Sequence, residues 1–117
     1  MRNELLDLLE GSAYSYASGN KVWLSPNLED YDTISLIIKV TGASGVGSTF
    51  TIEESHDETL FVPVEHSLLT AGTVTIDSAN VIVNIDYSPF IKKFLRITFD
   101  NNSETGTIDD IQLMIKK

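Results

Sequence analysis

The sequence predicts an all-β chain: an antiparallel β-sandwich, jelly-roll or immunoglobulin-like, of about eight strands, with a short N-terminal helix or arm. Three observations carry that reading. Thr33–Thr41 alternates strictly, with Ile34, Leu36, Ile38 and Val40 on one face and Ile37 and Lys39 on the other. That is the period of a half-buried strand. Clusters of Gly, Pro, Asn, Asp and Ser then recur at roughly 8–12-residue intervals between short apolar segments. Finally, Ile91–Phe99 and Thr107–Ile115 alternate on either side of the polar turn 100–106. They read as a hairpin with one buried face. Strands do not alternate with long helical segments, so a parallel α/β sheet is not expected.

The elements follow in order. Leu5, Leu8 and Leu9 fall on one face at helical spacing, with Asn3 as a candidate N-cap and Gly11 as a stop. A helix is therefore expected over 3–10. Two turns are marginal in water, so this helix must pack on its own domain or on another chain. Residues 12–20 are small and polar apart from Tyr14 and Tyr16, and read as an arm or linker. The expected organisation is a contact segment over 1–19 and a sandwich domain over 20–117.

Lys21–Leu24 is a short strand closed by Ser25-Pro26-Asn27. Residues 42–47 form a mobile Gly/Ser connection, and Ser48–Ser55 alternates again with Phe50 and Ile52 inward. His56–Thr59 turns into Leu60–Val64, where Pro63 argues for an edge strand or a bend. Thr73–Asp77 and Val81–Asp86 read as another pair, with Val74 and Ile76 facing Val81, Val83 and Ile85. Ser88-Pro89 breaks the pattern ahead of the last two strands.

A length of 117 residues suits one domain with a substantial core. The absence of cysteine excludes disulfides and thiolate metal sites. No apolar run approaches the roughly 18 residues needed to cross a bilayer. The acidic, leucine-rich start lacks the apolar region and cleavage site of a signal peptide, so none is expected. Asn101-Asn102-Ser103 matches a glycosylation acceptor but reads as turn composition. Of the net charge of −9, residues 25–90 carry the most, with ten acidic side chains and the single Lys39. An acidic middle repels phosphate backbones, so neither nucleic acid nor membrane is an expected partner.

No catalytic constellation, cofactor site or metal site is expected. Ser55-His56-Asp57 has the residue types of a hydrolytic triad, but neighbours on a strand point to opposite faces. There is no Gly-x-Ser-x-Gly elbow. Residues 42–48 fit neither glycine-rich phosphate motif. In 100–106 the glycine falls one place late for a calcium loop, and Ile111 stands where an acid is needed. Glu53-Glu54 and Asp57-Glu58 form a second acidic cluster, and His56 and His66 are too far apart in sequence for tight metal spacing. Trp23, Tyr14, Tyr16, Tyr31 and Tyr87 could line a sugar platform, yet Trp23 between Val22 and Leu24 reads as a core anchor.

Two segments taken together carry a family resemblance. Thr49-Phe50-Thr51-Ile52-Glu53-Glu54-Ser55-His56-Asp57-Glu58-Thr59-Leu60-Phe61 resembles the strand, Glu/Gln-x-Ser-x-Asp-Gly turn and aromatic strand of small β-sandwich virion proteins of tailed bacteriophages. Lys93-Phe94-Leu95-Arg96-Ile97-Thr98-Phe99 and the following turn and strand resemble their closing Lys-Tyr-x-Arg-Val element. Glu58 departs from the usual turn glycine and Phe94 from the usual tyrosine. The resemblance spans about residues 21–117.

It implies a non-enzymatic head decoration or accessory capsid protein, made in the host cytoplasm and located in the virion. Such a protein binds the major capsid protein or other virion proteins as a homo-oligomer. Leu5, Leu6, Leu8, Leu9, Tyr14 and Tyr16 are then the expected contact residues, and Arg96 is expected to pair with a neighbouring acid in the sheet or across an interface. The alternative is a carbohydrate-binding sandwich module that recognises a receptor or glycan.

Overall fold

Two antiparallel sheets face each other in the computed structural model, which describes residues 3–16, 20–87 and 92–116. The strands are β1 (Asn3–Asp7), β2 (Tyr14–Ser15), β3 (Lys21–Leu24), β4 (Thr33–Thr41), β5 (Thr49–Ser55), β6 (Val62–Pro63), β7 (Thr73–Thr75), β8 (Val81–Tyr87), β9 (Phe94–Asp100) and β10 (Thr107–Lys116). The first sheet runs β1-β10-β4-β8, with β2 also on β10. The second runs β3-β9-β5-β6, with β7 also on β5. Ser88-Pro89 and the end of the N-terminal segment, 17–19, lie outside the described residues.

β1 and β2 share one side of β10, and β6 and β7 share one side of β5. Counting each pair as one position leaves eight, ordered 1-8-3-6 in one sheet and 2-7-4-5 in the other. That order is a jelly roll, two interlocked Greek keys, rather than an immunoglobulin-like sandwich.

Alternation decides what lies between the sheets. Ile34, Leu36, Ile38 and Val40 of β4 are buried, as are Phe50 and Ile52 of β5. Leu95, Ile97 and Phe99 of β9 and Ile108, Ile111, Leu113 and Ile115 of β10 complete the layer. Phe99 contacts Phe50 at a ring-centroid distance of 4.8 Å and Tyr16 at 4.7 Å. Each such pair contributes about 0.5–1.5 kcal/mol beyond the area it buries.

Four expectations are corrected. The N-terminal helix is a strand: β1 pairs from Asn3↔Lys116 to Asp7↔Gln112. A two-turn helix gains little on its own, whereas β10 offers a row of backbone partners. After Asp7 the chain makes an excursion, held by Asp7, whose carboxylate accepts the Leu9 and Gly11 N–H groups at 3.0 and 2.9 Å. It then rejoins the same side of β10 at Tyr14↔Ile108.

The closing hairpin is absent, because β9 pairs with β3 and β5 while β10 pairs with β1, β2 and β4. The 101–106 turn carries the chain from one sheet to the other. Ser44 anchors it: its N–H donates to Thr105 O at 2.8 Å and its hydroxyl accepts the Thr105 N–H at 2.9 Å. The Ser44 hydroxyl also donates to Glu104 at 2.7 Å. The 42–47 connection expected to be mobile is thus tied to its neighbour by several bonds. β7 and β8 likewise do not pair with each other, and belong to opposite sheets.

The turn leaves one mark of tight packing. A Cβ on Gly106 would overlap the Tyr16 ring. The Tyr16 hydroxyl is buried and has no hydrogen-bond partner among the described residues. Burial raises its pKa above the ordinary value, with the Glu104 charge adding to the shift. Gly106→Ala is therefore expected to cost about 1–3 kcal/mol by overpacking. Tyr16→Phe is expected to be neutral or stabilising, since it removes an unmatched polar atom. Urea denaturation of both variants checks this, and a clear loss of stability in Tyr16→Phe would contradict it.

Candidate functional site

The expected contact residues separate into two groups. Leu9 and Tyr16 are buried in the domain's own core, and Leu6, Leu8 and Tyr14 pack against it. Leu5 stands apart. It lies opposite Met114, out of phase with the buried Leu113 and Ile115, and is 55% exposed. Tyr14 meets Trp23 edge-on at 5.7 Å, and Lys21 lies over the Tyr14 ring at 5.5 Å. Trp23 packs against the core, so these aromatics brace the sandwich instead of forming an open platform.

The Tyr14–Trp23 contact also joins the two edges on that side. β1 and β2 pair with β10 alone and β3 pairs with β9 alone among the described strands. Beside Leu5, these edges expose Val22 and Leu24 of β3, at 54% and 45%. The neighbouring outward row of the second sheet is nearly neutral. Thr98 and Thr51 flank it, and the Arg96 guanidinium binds Glu53 Oε1 at 2.9 and 3.1 Å. Phe61 stacks on Arg96 at 4.0 Å. Arg96 thus pairs with an acid of its own sheet, as expected. In a chain of net charge −9, an outward row whose Arg96 and Glu53 charges cancel, next to the exposed Val22 and Leu24, is suited to contact.

The triad-like segment is a turn. Ser55 Oγ donates to Asp57 at 3.0 Å and accepts the Asp57 and Glu58 N–H groups. Asp57 accepts the Thr59 and Leu60 N–H groups, and these bonds hold its carboxyl below the usual value. His56 is exposed beside them, outside any Ser–His relay. Among the described residues, no group of three His, Asp or Glu side chains is placed to hold a metal ion. No helix of the described residues is long and apolar enough to cross a membrane.

Sequence reasoning missed a polar cleft on the opposite side of the sandwich. Glu54 was visible only as part of a surface cluster, yet it is 4% exposed. Its position is the signal: it shares the inward phase of Phe50 and Ile52 on β5. Tyr87 shares the inward phase of Val83 and Ile85 on β8. The Tyr87 hydroxyl donates across the gap between sheets to both Glu54 oxygens, at 2.9 and 3.1 Å. Lys92 Nζ approaches Glu54 at 3.9 Å. These groups border a cavity of about 640 Å³, also lined by Pro63, Glu65, His66 and Leu69.

No protein-family model matches the chain, and no curated protein is significantly similar to it in sequence.

Tyr87 supplies a pH dependence. Burial first, then the hydrogen bond and charge of Glu54 and the charge of Glu65, push its pKa from 10.0 up to about 12. A folded-state value above the unfolded one stabilises the protein below the unfolded pKa, and that contribution is lost as pH rises through the folded pKa. The stability difference between the native protein and Tyr87→Phe is therefore expected to be steady below pH 10.0 and to shrink as pH approaches about 12. Denaturant midpoints across that window measure it; an unchanged difference would show that the hydroxyl is not tied to a carboxylate.

Proposed function

We propose that this chain is a non-enzymatic structural protein of a bacteriophage virion, of the head decoration or accessory capsid kind. The single observation that carries the reading is the outward face of the second sheet at its β3 edge, where exposed apolar side chains stand beside the charge-cancelled Arg96–Glu53 pair. Val22 and Leu24 are exposed there, and Leu5 is exposed on the edge strand β1 of the other sheet. Sheet edges accept partners through backbone pairing, and side chains of alternate residues add specificity. The jelly-roll order supports the reading by analogy, since capsid domains use it, although lectins use it too. The motif resemblance of residues 49–61 and 93–99 points the same way.

Contact is thereby assigned to Leu5 and the β3 edge. Leu9 and Tyr16 serve the core, so deleting 1–19 would damage the domain itself and charge substitutions are the sharper probe. Val22→Glu combined with Leu24→Glu changes exposed positions and should leave the thermal midpoint nearly unchanged. The native protein is expected to co-sediment with heads of the phage that carries its gene, and the double variant to lose at least about tenfold in occupancy. Equal occupancy of native and variant protein, or no association of the native protein with particles, would overturn the reading.

A further inference from the structure

We infer that the cleft between Glu54, Tyr87 and the 63–72 segment is a binding site for a neutral pyranose sugar. This goes beyond the virion reading and does not depend on it, since the cleft lies away from the β1–β3 side. The cavity, about 640 Å³, falls within the roughly 300–1,000 Å³ of small-molecule sites.

Its chemistry narrows the ligand. Glu54 is a nearly buried carboxylate that accepts from Tyr87, and a carboxylate has about four acceptor positions to offer. Glu65 adds a second acceptor on the rim. His66 Nδ1 accepts the Leu68 N–H at 3.1 Å, which leaves the neutral ring's hydrogen on Nε2 as a donor. Lys92 is the other donor. Pro63 and Leu69 supply an apolar wall.

A pyranose matches this mixture. Its hydroxyl groups both donate and accept, and one face of its ring is C–H. An anionic ligand would meet two carboxylates against one lysine. An apolar ligand would cover Glu65, the His66 Nε2–H and the remaining acceptor positions of Glu54 without matching them, which is costly. A free cation would compete with Lys92 for Glu54.

The test is a heteronuclear NMR titration of the full chain with methyl pyranosides of glucose, galactose, mannose and N-acetylglucosamine, and with methylguanidinium as the cationic probe. At least one pyranoside is expected to shift the Leu69, Gly72 and Tyr87 amides saturably. Glu54→Gln should weaken that binding by about tenfold or more. Because Glu54→Gln disturbs a buried bond and could unfold the domain, His66→Ala on the rim is the second variant, with the same weakening expected. The inference is overturned if no pyranoside gives saturable shifts at the cleft. It is overturned equally if a folded His66→Ala binds as the native protein does, or if methylguanidinium alone produces the shifts. Loss of particle attachment in the β3 variants leaves this outcome untouched, so the two readings fail separately.

Discussion

Burial of alternate residues between two sheets constrains everything else in this molecule. The long strands β4, β5, β8, β9 and β10 have largely apolar inward rows, and each row needs a facing row about 10 Å away across the sandwich. Phe99 shows the demand at one point. It must meet Phe50 beside it in its own sheet and Tyr16 from the other, and all three are fully buried. The chain satisfies such contacts by passing from sheet to sheet at most of its connections, which is why sequence neighbours such as β9 and β10 face each other without pairing. Pairing is instead between distant segments, such as Leu36 with Leu113 and Ile52 with Ile97.

That architecture gives the two ends of the sheets different surfaces. Beside the β3 edge, Val22 and Leu24 are exposed and the neighbouring charges cancel through Arg96 and Glu53. On the opposite side, the inward phase of β5 and β8 ends on polar residues, so the core opens into a cleft where Glu54 and Tyr87 meet. The same alternation that fills the centre therefore places a carboxylate in a nearly dry position at the rim. Hydrogen bonding is what makes that placement tolerable.

Faces were legible in the sequence and neighbours were not. The apolar inward residues of β4, β5 and β9, and Ile111, Leu113 and Ile115 of β10, follow from period two and are buried, whereas Ile108 is brought inward by a register shift between Ile108 and Asp110. Period two is silent on whether two alternating strands lie side by side or face to face, and the Asn-rich turn at 100–106 suited both. The tie that decides, Ser44 to Thr105, joins residues distant in sequence. At the N-terminus, Leu5, Leu8 and Leu9 at helical spacing outweighed the strand phase of Leu6, because the partner strand is the last in the chain. Glu54 was readable in principle from its phase with Phe50 and Ile52, but acidic residues are so seldom buried that charge masked it. Leu5, the one exposed member of the expected contact set, points outward on its strand, so phase also separates surface from core.

Backbone nuclear Overhauser contacts between strands test the central claim, that the last two strands lie in different sheets. Cross-strand contacts are expected for Ile97 with Ile52 and for Leu113 with Leu36, and none in a regular ladder between 94–100 and 107–116. A continuous antiparallel ladder joining those last two segments would contradict the jelly roll and everything built on its two sides.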